Sequence, residues 1–228
     1  ANLSGVTLGN ANLSGADLTG AIIDPTALQL PELQEAKLPR LDTTMAGRLD
    51  EILLAHHQWA DGAGGARANL SNADLSGLDL QTVNLSAAVL TAAFLRAANL
   101  SASVLSMADL SGADMREVNL SQADMRGVRL ERAVLTGANL SGADLGPLEN
   151  IGPSGRVWYS ALSHARFRDA DLSGAKLIGA NLKGASLDDA TLREADLSQA
   201  DVADASFRGA DLTGARLDGT NMAAAYLD

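Results

Sequence analysis

Three histidines are the first residues to test for chemistry: His56, His57 and His164. His56 and His57 are adjacent, so on a helix they project in different directions, whereas a helical metal site of the H-E-x-x-H kind needs ligands four residues apart. His164 is the one further imidazole, and the absence of Cys removes thiolate metal sites and disulfides. The histidines therefore read as structural or solvated. Serine is abundant, but no Gly-x-Ser-x-Gly elbow presents a nucleophile. The run Gly62-Ala63-Gly64-Gly65-Ala66-Arg67 is rich in glycine yet lacks the Gly-Lys-Ser/Thr of a phosphate loop. No convergent catalytic set emerges, so the chain is expected to be no enzyme and to hold no cofactor or metal.

The Ser and Asp residues have another explanation, because both recur at a fixed interval. Ala11-Asn12-Leu13-Ser14-Gly15 is followed by Ala16-Asp17-Leu18-Thr19-Gly20, and the pattern returns as Ala138-Asn139-Leu140-Ser141-Gly142 and Ala170-Asp171-Leu172-Ser173-Gly174. Three tracts keep the five-residue phase. In the first, centres run from Leu3 to Leu38; in the second, from Leu70 to Leu145; in the third, from Leu162 to Leu227. A period of five matches neither an amphipathic helix nor a simple alternating strand. Two residues of each five are apolar, the centre and the small residue two before it; the others are turn formers. The economical structure is a coil with short extended sides and a corner in every unit, with Leu filling a narrow interior.

These tandem units resemble the pentapeptide-repeat family, whose consensus is A-(D/N)-L-x-x, and the resemblance covers most of the chain. It implies an all-β solenoid: a right-handed quadrilateral β-helix with four units, or 20 residues, in each coil. Coils stacked at the strand spacing of about 4.8 Å would make a rod roughly 45 Å long. The implied coil length places Arg168, Asp188 and Arg208 in one column, Lys176, Asp196 and Arg216 in another, and Asn99, Asn119 and Asn139 in a third. Contacts from 168 to 188, 188 to 208, 176 to 196 and 196 to 216 follow as expectations, with an amide ladder along the asparagines.

Two segments break the phase. In residues 41–67, Asp42, Thr43 and Thr44 are N-cap candidates, and Met45, Leu49, Ile52, Leu53, His56 and Ala60 follow an amphipathic stripe. The spacing predicts one inserted α-helix near 43–60, with Leu49, Ile52 and Leu53 facing the rod. The helix with its glycine run resembles an insertion in bacterial pentapeptide-repeat proteins. Pro147, Gly152, Pro153 and Gly155 mark residues 148–159 as a loop, across which the centres Leu145 and Leu162 lie out of phase. The organisation is therefore a first tract over 1–40, the insertion over 41–67, a second tract over 68–147, the loop over 148–159 and a third tract over 160–228, in one continuous elongated domain.

The formal charge is -11, and aromatics make up only 3% of residues. An acidic chain is disfavoured for direct nucleic-acid binding and for anionic membrane surfaces. No run of 18 apolar residues spans a membrane. No signal peptide is visible, which points to a cytoplasmic location. One group of residues departs from the outward polar pattern: Val89, Phe94 and Val104 stand where Asp or Asn is usual, and Met107 occupies another outward slot. Exposed apolar patches pack against something. The predicted helix is one covering element; another protein or a second copy is the other. Trp158 and Tyr159 either tuck the loop against a face or anchor a partner. The reading is a non-enzymatic protein-interaction or scaffold module that presents a rigid rod. The alternative, by resemblance to the quinolone-resistance members, is a DNA mimic directed at gyrase, but the acids are spread along the chain and interleaved with Arg and Lys.

Overall fold

The repeat explains itself through its backbone hydrogen bonds. The computed structural model describes residues 48–151 and 155–227, together with Ala16. The first tract's centres, and residues 43–47 of the expected helix, lie outside these. In the unit beginning at Asn119, all five N–H groups are used. Asn119 N donates to the Ala98 carbonyl in the coil before (2.9 Å), and Leu120 N donates to the Asn139 carbonyl in the coil after (2.7 Å). Gln122 N donates forward to Ser141 (2.9 Å), and Ala123 N closes the corner onto the Leu120 carbonyl (3.1 Å). The remaining donor, Ser121 N, is taken by the Asn119 side-chain oxygen at 3.1 Å. A buried backbone donor without a partner is costly, and this arrangement leaves none. It also explains Asn or Asp before each centre: a short side chain with an oxygen caps the corner two residues on.

The bridges are single-residue and parallel, and they join residues 20 apart, as in Asn69↔Val89, Asn99↔Asn119 and Ser186↔Ser206. Four units of five therefore complete one coil. Four sides follow. Side one carries Asn69, Val89, Asp109, Arg129, Ala161, Asn181 and Asp201; side two begins at Asp74, side three at Asp79 and side four at Asn84. Leu100, Leu120, Leu140, Leu172 and Leu192 lie inside at 0% exposure, and the small residue two before each, Ala in four and Val118 in the other, is buried beside it. The second corner residue is left-handed in the regular units, Pro147 and Ala224 excepted: where it is not Gly, φ lies between 53° and 61°.

The second break leaves the coils in register. Arg129 bridges Ala161 and Asp144 bridges Lys176, an offset of 32 residues, which is one coil plus twelve. Those twelve carry two paired strands, called the hairpin below. Strand β1 (Leu148–Ile151) pairs antiparallel with strand β2 (Arg156–Trp158), so the expected loop contains a two-stranded ribbon at the corner between sides four and one.

Helix α1 spans Leu49–Ala60. Leu49 is buried, and Ile52 and Leu53 pack against the coil interior. At its far end the chain turns sharply back: Ala66 N donates to the Ala55 carbonyl at 3.0 Å. A Cβ on Gly65 would meet that carbonyl oxygen at 2.1 Å, and φ there is +71°, so only glycine fits. His56 joins helix to coil. Its ring is fully buried, and Nδ1 accepts the Ala68 N–H at 3.0 Å. The neutral ring therefore carries its proton on Nε2, which meets the Ser86 backbone without closing a hydrogen bond. Burial holds the His56 pKa below its ordinary value, the Arg67 charge acts in the same direction, and the Ser86 backbone opposes both.

Candidate functional site

The six residues singled out for contact divide when placed on the coils. Val104 lies on side four and Val89 on side one, flanking the corner that carries Met107; all three are half-buried. The hairpin enters at the same corner, two coils on. Trp158 Cβ stands 3.4 Å from where a Cβ on Gly127 would be, and the Tyr159 ring lies so close over Gly179 that a Cβ there would fall 2.5 Å from it. Both aromatics tuck against the wall, yet Trp158 stays 39% exposed and Tyr159 52%. Val89, Val104, Met107, Trp158 and Tyr159 thus line one edge of the rod.

Phe94 does not join them. It sits on side two, bridged to Asp74 and Asp114, and is only 2% exposed. Its neighbour Asp114 is itself buried and held by the Arg116 guanidinium through Nε at 2.8 Å and a second nitrogen at 2.5 Å. A ring buried to that degree is not part of the exposed edge.

Sequence reasoning missed three members of the edge. Val157 is 39% exposed, Arg156 stands 5.9 Å over the Trp158 ring, and Ile178 is half-buried at a first corner position where Ser or Arg is usual. The five-residue phase marks Ile178 as a departure, whereas Val157 and Arg156 become meaningful only once the ribbon exists. Val89 and Val104 also lack the oxygen with which Asn or Asp caps the next corner, so the apolar edge forgoes hydrogen bonds that other coils make.

The charged columns depart in part from expectation. Arg216 reaches Asp196 at 3.3 Å, as the coil length requires. Lys176 instead meets Asp144, at 3.1 Å, across the hairpin-bearing coil. Arg168 pairs with Asp169 at 3.6 Å and Asp189 at 3.4 Å, not with Asp188. The reason is that Asp188 turns to the hydroxyls of Ser206 and Ser186, which hold its pKa below the usual carboxylate value. Along side three, Asn99 donates to Asp79 (2.9 Å) and Asn119 to Asn99 (3.1 Å), which is a polar ladder. The serine hydroxyls do not cap corners by themselves: those of Ser101, Ser121 and Ser141 each donate at 2.8 Å to the asparagine oxygen that caps the corner. Asp124 is held below its ordinary pKa chiefly by the Arg126 side chain, at 2.8 and 2.7 Å. Asp211 is lowered chiefly by Thr213, its hydroxyl and then its N–H. Among the described residues, no group of three or more His, Asp or Glu is arranged to hold a metal ion, and no helix is long and apolar enough to cross a membrane.

A coil built of five-residue units with small, turn-forming and leucine positions defines a class, and the chain belongs to it. The pattern described as Pentapeptide repeats matches in 8 copies over residues 1–24, 66–86, 79–116, 113–146, 165–202 and 185–223, so this is a pentapeptide-repeat protein. Solved structures it is similar to include HetL of the cyanobacterium Nostoc, a pentapeptide repeat protein involved in heterocyst differentiation regulation, at 31% identity over 71% of this chain and 79% of that one, with a TM-score of 0.40. QnrB1, a plasmid-mediated fluoroquinolone resistance protein, is 22% identical over 69% of this chain and 80% of that one, TM-score 0.26. Rfr23 of the cyanobacterium Cyanothece is 23% identical over 77% of this chain and 94% of that one, TM-score 0.25. No curated protein matches the chain.

Proposed function

We propose that this chain is a non-enzymatic protein-interaction or scaffold module whose contact surface is the edge formed by Val89, Val104, Met107, Trp158 and Tyr159. The coils are read as right-handed, as in the family. One observation carries the reading: an inserted ribbon sets two half-exposed aromatics on the same corner column as the apolar departures from the repeat. Large amphipathic rings on a rigid wall make contact anchors, because little conformational entropy is lost when they are covered. The partner is another protein or a second copy. The gyrase-directed alternative gains nothing from the charges: Asp144, Asp196 and Asp211 are each paired with Lys or Arg, which is unlike a bare phosphate ladder.

A photo-crosslinking residue at position 158 tests the reading, on purified protein and in cells that make it. The expected result is one discrete crosslinked species, lost when Met107→Ser and Tyr159→Ser are added. Crosslinks that are absent, or unchanged in that variant, would overturn the assignment. Protection of gyrase from a quinolone in a supercoiling assay would establish the alternative.

A further inference from the structure

The coils from Ala68 to Leu227 contain thirteen Lys and Arg residues. Eight reach a carboxylate within ion-pair distance. Arg156 and Arg208 stand over aromatic rings. Among the described residues the remaining three, Arg132, Arg166 and Lys183, do neither, and they are not scattered. Arg132 lies at the corner between sides one and two, Lys183 lies two coils further along the same corner, and Arg166 lies on side two of the coil between them. His164 occupies the corner of that middle coil, its ring over Gly184. All four are exposed. The nearest acid in sequence, Glu131, is engaged by Arg129 (3.5 Å) and by the Ser111 hydroxyl (3.1 Å), and Asp204 bounds the strip one coil beyond Lys183.

We infer that this corner is a docking strip for a short acidic segment of a protein partner. The inference rests on the reading of the rod as an interaction module, but it uses a different corner from the aromatic edge. Three coils span about 10 Å, a length that an extended peptide crosses in about three residues, with the acids two apart, about 7 Å, turned to the strip. Arg offers a flat fork of donors to a carboxylate, and Lys a mobile point charge, so one strip can take several acidic side chains. The net charge of -11 selects the class of ligand. A long polyanion would run onto the acidic remainder of the rod and be repelled, whereas a segment of a few residues meets only the local cations.

The test uses the whole chain and a fluorescein-labelled peptide, Gly-Glu-Asp-Glu-Asp-Glu-Asp-Gly, followed by fluorescence anisotropy. Saturable binding is expected, weakening several-fold when salt rises from about 50 mM to about 300 mM as the charges are screened. The variant Arg132→Gln, Arg166→Gln, Lys183→Gln should bind about tenfold more weakly or worse. A control with the same charge change at paired cations, Arg168→Gln, Arg193→Gln, Arg216→Gln, should stay within about twofold. Circular dichroism checks that both retain the coils. No saturable binding, equal losses in the two variants, or tighter binding of a short single-stranded oligonucleotide or polyphosphate overturns the inference. Peptide binding that survives Trp158→Ala and Tyr159→Ala while crosslinking at position 158 fails would sink the edge and leave the strip standing; the opposite outcome sinks the strip alone.

Discussion

Thr82 is β-branched yet sits in the left-handed region, with φ 60°, because its corner must turn like the others. The left-handed conformation costs a non-glycine residue about 1–2 kcal/mol, and glycine regains most of it, less the entropy it adds to the unfolded chain. Thr82→Gly should therefore stabilise by up to about 1 kcal/mol, a rise of about 2–4 °C in Tm for a protein of this size. An unchanged or lower Tm on calorimetry would contradict this account of the corner. Inside, Leu120 is at 0% exposure, stacked between leucines of the coils on either side. Leu120→Asp buries a carboxylate with no partner and should cost several kcal/mol, comparable to a domain's whole stability. Loss of the cooperative melt at ordinary temperature is the expected reading. At this scale the interior was legible, since position in the five-residue phase decides burial. The fate of Phe94 was not: phase put it on the outside, whereas the folded chain covers it, and no local pattern announces that. Nor did phase reveal that two serines would claim Asp188 from Arg168.

Among the elements, α1 is held by Leu49, Ile52 and Leu53 on its apolar face and by His56 and the turn after its C-terminal end. Gly65→Ala would force a methyl into the Ala55 carbonyl and strain the turn, so it should cost more than about 1 kcal/mol and loosen the helix before the coils. Hydrogen exchange of the α1 amides measures that order of events. His56 adds a pH dependence. Its folded pKa lies below 6.5, so the unfolded state binds the proton first as pH falls. Helix docking is then fully stable above pH 6.5 and weakens as pH drops from there towards the folded pKa, where Nδ1 can no longer accept from Ala68. Trp59, stacked on His56 at 5.4 Å, reports the change in fluorescence, with Trp158→Phe removing the other indole. His56→Ala should cost about 1–3 kcal/mol by leaving a buried N–H unpaired, and should flatten the response between pH 7.5 and pH 5. The helix was legible from its apolar stripe. The hairpin was not, since a gap of seventeen residues between centres hides one unit plus twelve residues, and only the coil ladder separates the two. Excising residues 147–158 with Tyr159→Gly should therefore restore an unbroken phase and leave the melt of the coils within a few degrees of the parent. Collapse of the stack would show that the ribbon is structural.

For the whole molecule, acid acts in two stages. Asp124, Asp188, Asp196 and Asp211 all have folded pKa values below their ordinary 3.8. Burial at Asp196 works against this, but the Ser198 hydroxyl and N–H outweigh it. The stability these groups contribute is present above about pH 4 and is lost as pH falls through their folded values. Between pH 6.5 and pH 4 only α1 should respond; the coil signal in circular dichroism should fail below that. A single transition common to both probes would refute the separation.

The ladder that closes each wall also governs how the protein yields to force. Every coil is held to its two neighbours by the same short backbone bonds, so tension applied to the chain ends loads the terminal coil first and the others wait behind it. Extension should advance in near-equal steps, one coil at a time, each releasing 20 residues, or about 70 Å of contour. One step should be longer. Where the offset is 32 residues, the ribbon pays out with its coil and the chain lengthens by about 110 Å. In an optical trap the hairpin would thus appear as a single outsized interval, and its place in the series would reveal the end from which the rod unwinds.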